Sequence, residues 1–244
     1  IATRGDTPVL ALSIATGAVV AVVIAGFEYV SATVLLDRVL HRPLWQIALA
    51  PALGLILANL ILRYAGRSMS ASTSDEFNRA FHERSPRLPL RDLPLKLLAG
   101  ITTIGLGGSL GLEGPSIYAG SSIGLAMRNR FRRWLRRDDV KILLTAGAAA
   151  GVAAVFKAPA TGVLFALEAP YRDDVNRRAL LPSLLAAATS YVVYINLIGH
   201  EAVIPFLTDP VNRIGLNIKE LAVASSERIV WFEADDLASL FTAV

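Results

Sequence analysis

One carboxylate, Glu113, lies in an apolar part of the chain, in the run Gly111-Leu112-Glu113-Gly114-Pro115. Proline is favoured in the first turn of a helix, so this run predicts a helix that begins at about Pro115. The first turn exposes unpaired N–H groups and the positive end of the helix dipole, which attract anions. An ionised Glu113 would compete with an anion for these groups, whereas a protonated Glu113 would leave them free. The predicted chemistry is anion binding gated by a carboxylate.

A structural N-terminal cap is the alternative role for Glu113. Ser or Asp meets that need more simply, and a cap does not require glycines around it. A lone carboxylate inside a membrane span is by default a candidate functional residue, and we therefore interpret Glu113 as functional.

The distribution of charge indicates that the chain crosses a membrane repeatedly. Of its 244 residues 54% are hydrophobic and only 18% are charged, and the mean hydropathy is +0.51; soluble domains carry about 25% charged residues. Charge is absent from residues 43–62, 97–112, 114–127, 142–156 and 179–199, and residues 8–36 carry only Glu28. Because a helix needs about 20 apolar residues to span a bilayer, we predict an all-α polytopic membrane protein, with a bacterial plasma membrane as its expected location.

The membrane helices are expected to be tilted or broken. Residues 8–40 predict one helix that is longer than the bilayer is thick, and a second helix follows Pro43 and runs to about Tyr64. A short helix with Asp75 and Glu76 in its first turn follows a stretch of serines.

Two interruptions are predicted inside the apolar region. A helix over about 93–107 ends in the glycine-rich run, and a helix over about 139–155 ends at Phe156-Lys157-Ala158-Pro159, after which a short helix restarts. Non-helical backbone at membrane depth is tolerated only where protein buries it or where it lines a cavity. Paired interruptions of this kind point to an ion or substrate site.

Composition divides the chain into two parts. A final apolar helix over about 178–199 completes a membrane part of about eight helices at 1–204. A polar tail occupies 205–244, and its residues 225–244 have an amphipathic pattern.

Glycines four positions apart allow close helix contact: Gly107 with Gly111, Gly120 with Gly124, and Gly147 with Gly151.

Basic residues cluster between two apolar blocks. Such clusters beside a membrane span usually lie on the cytoplasmic side and meet anionic lipid, so membrane lipid is an expected partner. The cluster comprises Arg128, Arg130, Arg132, Arg133, Arg136, Arg137 and Lys141.

A hydrolase is a competing interpretation, because Ser109 and Ser122 each lie in a G-x-S-x-G pattern. That pattern needs a preceding strand and a downstream acid and histidine; no strand is predicted, and His200 is the only histidine downstream. We therefore predict that the chain is not an enzyme. The sequence carries no phosphate loop, metal-ligand cluster or nucleic-acid signature and no cysteine, so no cofactor, metal or nucleic acid is expected.

Two motifs resemble those of CLC chloride channels and chloride/proton antiporters. Residues 111–115 resemble the Gly-(Arg or Lys)-Glu-Gly-Pro signature of that family. The stretch from Ala146 to Pro159, which continues through Gly162 to Glu168, resembles its Gly-Ala-Ala-Ala-Gly…Phe-(Asn or Lys)-Ala-Pro segment. Both motifs occur in order at the expected separation, with a serine stretch about 40 residues upstream of Glu113.

The resemblance implies a role for each matching residue. Glu113 matches the gating glutamate, and the serine that coordinates the central anion falls near Ser72, with Thr73 and Ser74 as alternatives. The expected site residues are Glu113 as gate; Ser72, Thr73, Ser74, Gly111, Gly114, Pro115 and Ser116 as anion-binding residues; and Phe156, Lys157, Pro159 and Glu168 in support.

The sequence departs from the family pattern in three ways. Leu112 stands where the signature usually has a basic residue, and Ala169 stands where proton-coupled members commonly carry an internal glutamate. The resemblance covers about 8–220, the first of two inverted halves. The implied function is voltage- or pH-gated chloride transport, by a channel or by anion/proton exchange, in a homodimer. The alternatives are a non-conducting half that needs a partner or second half, and fluoride or nitrate as the anion.

Overall fold

The computed structural model describes residues 7–66, 69–83, 85–136, 138–170 and 177–199. Within them all regular structure is helical, which confirms the predicted all-α fold. Four of the described helices are long and apolar enough to cross a bilayer. The polar tail predicted at 205–244 and the amphipathic pattern over 225–244 lie outside the described residues.

The first membrane helix, α1 (Thr7–Leu40), is a continuous rod of 34 residues, as predicted for 8–40. At 1.5 Å per residue it is about 50 Å long, so it must tilt to fit a hydrocarbon core of about 30 Å. It is α-helical over Thr7–Glu28, π-helical over Tyr29–Leu36 and α-helical again over Asp37–Leu40. Helical π segments are rare and occur frequently at functional sites.

The second membrane helix, α2 (Leu44–Ala65), starts where Pro43 interrupts the chain. Proline has no N–H to continue a helix, and the Pro43 carbonyl instead accepts hydrogen bonds from the N–H groups of Gln46 and Ile47. Large apolar side chains stay exposed along α2, with 85% of Leu44 accessible. An exposed apolar helix is typical of a membrane-facing element.

The short helix α3 (Thr73–His82) begins directly after the serine stretch, as predicted. The Ser72 hydroxyl donates a hydrogen bond to the Asp75 carboxylate, which orders the first turn. Phe77 and Phe81 are buried on one face of the helix, so that its N-terminus is held against the rest of the fold.

The first predicted interruption separates α4 (Leu93–Gly105) from α5 (Glu113–Arg130). Gly107 has a φ of 85°, which favours glycine, and the Gly108 N–H donates to the Thr103 carbonyl at 2.8 Å to close the last turn of α4. Helix α5 begins two residues earlier than predicted, so Glu113 is the first helical residue. The prediction that Gly107 and Gly111 mediate helix contact is wrong, because both lie in the connecting loop.

The second interruption separates α6 (Asp139–Phe156) from α7 (Pro159–Glu168). Lys157 ends α6 in the left-handed conformation with a φ of 52°, and Pro159 then starts α7, since proline suits a first turn. The last described helix is α8 (Arg177–Ile198). These bounds confirm the predicted break and the predicted final helix.

The other predicted glycine pairs bring α5 and α6 together. A Cβ atom on Gly120 would overlap the Gly147 carbonyl oxygen, and a Cβ on Gly124 would overlap the carbonyl oxygen of Leu143. Gly151 lies equally close to the Ser116 carbonyl. The backbones of the two helices are therefore in direct contact, as the spacing predicted.

The structural context of a hydrolase is absent from the two G-x-S-x-G runs. The first run lies in the loop between α4 and α5, and the second lies inside α5, where Ser122 is fully buried. Neither serine follows a strand, as the nucleophile of this motif must. His200 lies outside the described residues.

Candidate functional site

The N-termini of α3 and α5 converge at one point. A Cβ atom on Gly114 would lie 2.5 Å from the Thr73 hydroxyl oxygen and 3.6 Å from that of Ser74. A side chain at this position of α5 would therefore have to displace the Thr73 hydroxyl, and the first turns of the two helices lie side by side. Each first turn carries N–H groups without helical partners and a positive partial charge of about half an elementary charge.

The unpaired donors at this junction can be identified from the first bonds of each helix. In α5 the first helical bond runs from the Ser116 N–H to the Leu112 carbonyl at 3.1 Å, which leaves the N–H groups of Glu113 and Gly114 without helical acceptors, while Pro115 has none to offer. In α3 the first bond runs from Glu76 to Ser72 at 3.3 Å. Backbone donors of both helices thus remain available to an anion.

A cavity of about 850 Å³ opens at this junction. Its walls come from α2, the serine stretch, α4 and the start of α5. It brings together six of the seven residues predicted to bind the anion: Ser72, Thr73, Ser74, Gly111, Gly114 and Pro115.

Two of the predicted residues next to the junction do not line the cavity. Glu113 is half-buried at the first position of α5, between the lining residues Gly111 and Gly114. Among the described residues, Glu113 takes part in no ion pair. Ser116 is fully buried, and its hydroxyl donates to the Glu113 carbonyl at 2.7 Å, which fixes the backbone beneath the carboxylate.

The sequence predicted an anion-coordinating hydroxyl at Ser72, with Thr73 and Ser74 as alternatives. Ser72, Thr73 and Ser74 all line the cavity. The hydroxyl proton of Ser72 is directed to Asp75, whereas the Thr73 and Ser74 hydroxyls lie nearest Gly114. The three side chains therefore differ in what they can donate to an anion.

A buried lysine at the cavity was not identified by sequence reasoning. Lys96 of α4 lines the cavity and is 5% exposed. Its ammonium donates to Glu76 Oε1 at 2.7 Å and to the Ser70 carbonyl at 3.0 Å, and it lies 4.5 Å from the centre of the Tyr118 ring. The signal was a single lysine within an apolar helix, where an ionisable residue usually marks a site.

The charge of Lys96 is balanced by an ion pair, whereas the charge of a second cation at the cavity is not. Glu76 neutralises the lysine, so the pair adds little net charge to the cavity. Arg63 of α2 also lines the cavity but is exposed, and among the described residues no carboxylate pairs with it. Its guanidinium, which lies 6.0 Å from the centre of the Tyr64 ring, can attract anions toward the cavity.

The second interruption does not contribute to this cavity. Phe156, Lys157 and Pro159 lie at the junction of α6 and α7, and Glu168 is exposed at the end of α7. None of the four is a lining residue. Their connection to the site is indirect, because α6 contacts the Ser116 backbone through Gly151.

Comparison of the sequence with known proteins identifies a family and a curated relative. The sequence model of the family described as “Voltage gated chloride channel” matches residues 53–225, well over half of the chain. A curated relative, the chloride/fluoride channel protein of Pseudomonas syringae pv. tomato (strain ATCC BAA-871 / DC3000), is 32% identical over 146 residues, which are 59% of this chain and 31% of the relative.

Solved structures share the fold. A crystal structure of a CLC-type fluoride/proton antiporter matches 83% of this chain and 50% of its own with a TM-score of 0.67 and 28% identity. The X-ray structure of a slow cyanobacterial Cl⁻/H⁺ antiporter matches 80% of this chain and 48% of its own with a TM-score of 0.65 and 26% identity. This chain thus spans about half the length of these transporters and less than a third of the curated relative. Its sequence and its helical architecture show that it belongs to the CLC family of voltage-gated chloride channels and antiporters.

Proposed function

We propose that this chain forms the anion-binding half of a CLC-type transport protein and holds the anion between the N-termini of α3 and α5. The observation that carries the proposal is the contact of Gly114 with the Thr73 hydroxyl at the cavity. Two helix N-termini supply donors and positive partial charge without a free cation at the binding point.

The charges at the cavity suit passage rather than tight retention of an anion. Conduction requires a site that binds well enough to admit the ion and weakly enough to release it. An uncompensated Lys96 beside the anion would hold it strongly, but Glu76 offsets that charge at 2.7 Å. The helix dipoles and hydroxyls then remain as the binding groups.

Glu113 acts as the gate in this proposal. Its position at the start of α5 places an ionised carboxylate at the same positive helix end that an anion would occupy. Protonation or rotation of the side chain would release that end to the anion. Voltage and pH are therefore the expected controls of transport.

Arg63 takes over the attraction of anions in our proposal. Leu112 stands where the family signature has a basic residue, so the loop before Glu113 lacks a charge that would draw anions in. Arg63 places an exposed positive charge on another wall of the same cavity. A charged group of this kind raises the rate at which anions arrive.

Chloride is the anion we propose, with fluoride as the alternative suggested by the names of the relatives. The proposal also includes transport by a channel or by anion/proton exchange, a homodimeric state, contact with anionic lipid and a bacterial plasma membrane location. A chain that spans half of its solved relatives can also need a partner or a second half to conduct, and this is the second candidate.

Anion flux from liposomes tests the proposal. The 244-residue chain is reconstituted, and chloride and fluoride efflux are followed with ion-selective electrodes for the parent, Glu113→Gln and the control Glu83→Gln, whose carboxylate is exposed at the end of α3. We expect efflux in the parent, a changed pH response in Glu113→Gln and no change in Glu83→Gln. An unaltered pH response in Glu113→Gln would exclude the gate, and no efflux from any variant would favour the partner-dependent form.

A further inference from the structure

The turn between α5 and α6 carries exposed positive charge. Helix α5 ends at Arg130, a short 3₁₀ helix covers Arg132–Trp134, and α6 begins at Asp139. One acidic side chain of the turn, Asp138, is exposed, but among the described residues no carboxylate forms an ion pair with an arginine of the turn. The exposed arginines are Arg130, Arg132, Arg133 and Arg136.

Contacts with the protein fix the shape of this α5–α6 turn. The Trp134 N–H donates to the Phe131 carbonyl at 3.0 Å, and the two rings stack with their centroids 5.8 Å apart. Leu135 is half-buried and packs against the main hydrophobic core. The Arg136 N–H donates to the buried Asp139 carboxylate at 2.7 Å. The arginines therefore stand on an ordered piece of backbone.

Trp134 stays exposed although its neighbour Leu135 is packed. Its side chain is 70% accessible. Tryptophan is enriched where a membrane meets water, because the apolar ring lies among the headgroups while its N–H keeps a polar partner. Arginine suits the same depth, since its guanidinium binds phosphate through two parallel hydrogen bonds. The indole and the guanidinium groups together match the chemistry of a phospholipid headgroup.

The length of α6 places the turn at a membrane surface. Helix α6 has 18 residues and is long and apolar enough to cross a bilayer. At 1.5 Å per residue it is about 27 Å long, close to the hydrocarbon thickness of about 30 Å. Its first residue, Asp139, therefore lies near one end of the span, and the turn before it lies at the depth of the headgroups.

Two other roles explain less of this surface. Basic residues in the last turn of a helix stabilise its dipole, which accounts for Arg130 but not for Arg132 and Arg133, because both lie beyond the end of α5. A free inorganic anion would account for the guanidinium groups and would leave the exposed indole of Trp134 without a role. A lipid headgroup accounts for both kinds of side chain.

We propose that the α5–α6 turn is a binding site for the headgroup of an anionic phospholipid, with Arg132 and Arg133 on the phosphate and Trp134 among the headgroups. The lipid is anionic because a choline or ethanolamine group would bring its own positive charge to the guanidinium groups. The site rests on the membrane location in the function proposed above, and anion transport plays no part in it. Helix α5 runs unbroken from Glu113 to this turn, so the lipid holds the far end of the helix that starts at the proposed gate.

Lipid binding is measured without transport, by native mass spectrometry of the full chain in detergent during titration with phosphatidylglycerol or phosphatidylcholine. The test variant is Arg132→Gln with Arg133→Gln. The matched control, Arg38→Gln with Arg42→Gln, removes the same charge from exposed arginines of the α1–α2 connection, near the exposed Trp45. We expect the test variant to lose at least about tenfold in affinity for phosphatidylglycerol and the control to lose less than about twofold.

The remaining outcomes separate the site from simpler attractions. Equal losses in the two double variants overturn the site, because attraction by net charge alone would produce them. Displacement of the lipid by an equal concentration of inorganic phosphate overturns its assignment to a lipid. Trp134→Ala should weaken phosphatidylglycerol binding and Trp134→Phe should restore part of it; full binding by Trp134→Ala overturns the role of the indole.

Failure of the lipid site and failure of the proposed transport give different results. Unchanged phosphatidylglycerol binding in the Arg132→Gln, Arg133→Gln variant overturns the site whether or not the chain transports anions. Selective loss of binding in that variant, together with no anion efflux from liposomes, supports the lipid site and counts only against transport by this chain alone.

Discussion

Gly114 at the start of α5 lies against the hydroxyl of Thr73 at the start of α3, where a Cβ atom would approach that hydroxyl oxygen to 2.5 Å. The contact aligns two helix N-termini at the wall of one cavity. It also explains the glycine after Glu113 by space rather than by backbone conformation, because Gly114 is helical and, within residues 105–115, only Gly107 has a positive φ. A methyl group on Gly114 would therefore fit at the proposed anion site only if the Thr73 side chain moved.

Substitution of Gly114 by alanine should therefore damage the site. The added methyl must displace Thr73, and overpacking of this kind costs about 1–3 kcal/mol. We expect lower anion efflux and a lower unfolding temperature. Gly26→Ala is the control, since nothing lies within 4 Å of a Cβ atom at that position and Gly26 does not line the cavity. In the Gly114→Ala background, Thr73→Ala should restore part of the efflux because it removes the hydroxyl that the methyl group meets. Thr73→Ser keeps that hydroxyl and should not restore efflux.

The ion pair of Lys96 and Glu76 gives a second prediction. Removal of one partner leaves a charge without compensation, and we expect each of Lys96→Met and Glu76→Gln to destabilise the fold by about 3 kcal/mol. The double variant should recover most of that loss, as measured by denaturant unfolding in detergent. Because Lys96 is nearly inaccessible and Glu76 is only partly so, the Glu76 variant, which leaves the buried ammonium unpaired, should be the more costly of the two.

The Lys96–Glu76 pair also gives a prediction for anion binding, which is separate from its effect on stability. Glu76→Gln leaves the lysine uncompensated and should tighten chloride binding while slowing efflux, whereas Lys96→Met should weaken binding. Calorimetric titration of chloride checks both directions. Equal affinities in the two single variants would show that the pair has no electrostatic effect on the site.

Glycines in the helices give a further prediction, for stability alone. Alanine at Gly147 would overlap the backbone of Gly120 and force α5 away from α6, and we expect the free energy of unfolding to fall by about 3 kcal/mol. Gly26→Ala is the control, because nothing lies within 4 Å of its Cβ position and alanine is favoured over glycine in a helix by about 1 kcal/mol. In thermal unfolding, Gly147→Ala should melt at a lower temperature than the parent and Gly26→Ala at a higher one.

The helices were predictable because the signals that delimit them are local. Pro43, Pro115 and Pro159 lie at or near helix starts, and the apolar blocks at 8–36, 43–62 and 179–199 have the lengths of membrane helices. The π segment Tyr29–Leu36 carries no such signal. Its residues are compatible with an ordinary helix, so its position depends on packing against neighbouring elements.

The candidate site was predictable only where its residues form a motif. The glycine–proline run located the start of α5, but the partnership of Lys96 with Glu76 joins residues 20 positions apart in different helices. Outside this site, the hydrogen bond from the Tyr194 hydroxyl to the Glu28 carboxylate likewise joins residues 166 positions apart. The two chain breaks looked equivalent in sequence, yet only the first lines the cavity, because spatial convergence is set by tertiary packing.

The final prediction concerns Arg63 and ionic strength. If this exposed guanidinium attracts anions to the cavity, Arg63→Gln should lower chloride efflux about threefold at low ionic strength, since steering by charge acts on the arrival rate. The difference should disappear near 1 M of an impermeant salt, where the screening length falls to about 3 Å. Arg38→Gln is the control, because Arg38 is also exposed but does not line the cavity. A deficit in Arg63→Gln that persists at high salt would instead assign Arg63 a direct contact with the anion, and equal efflux of both variants at low salt would remove it from the pathway.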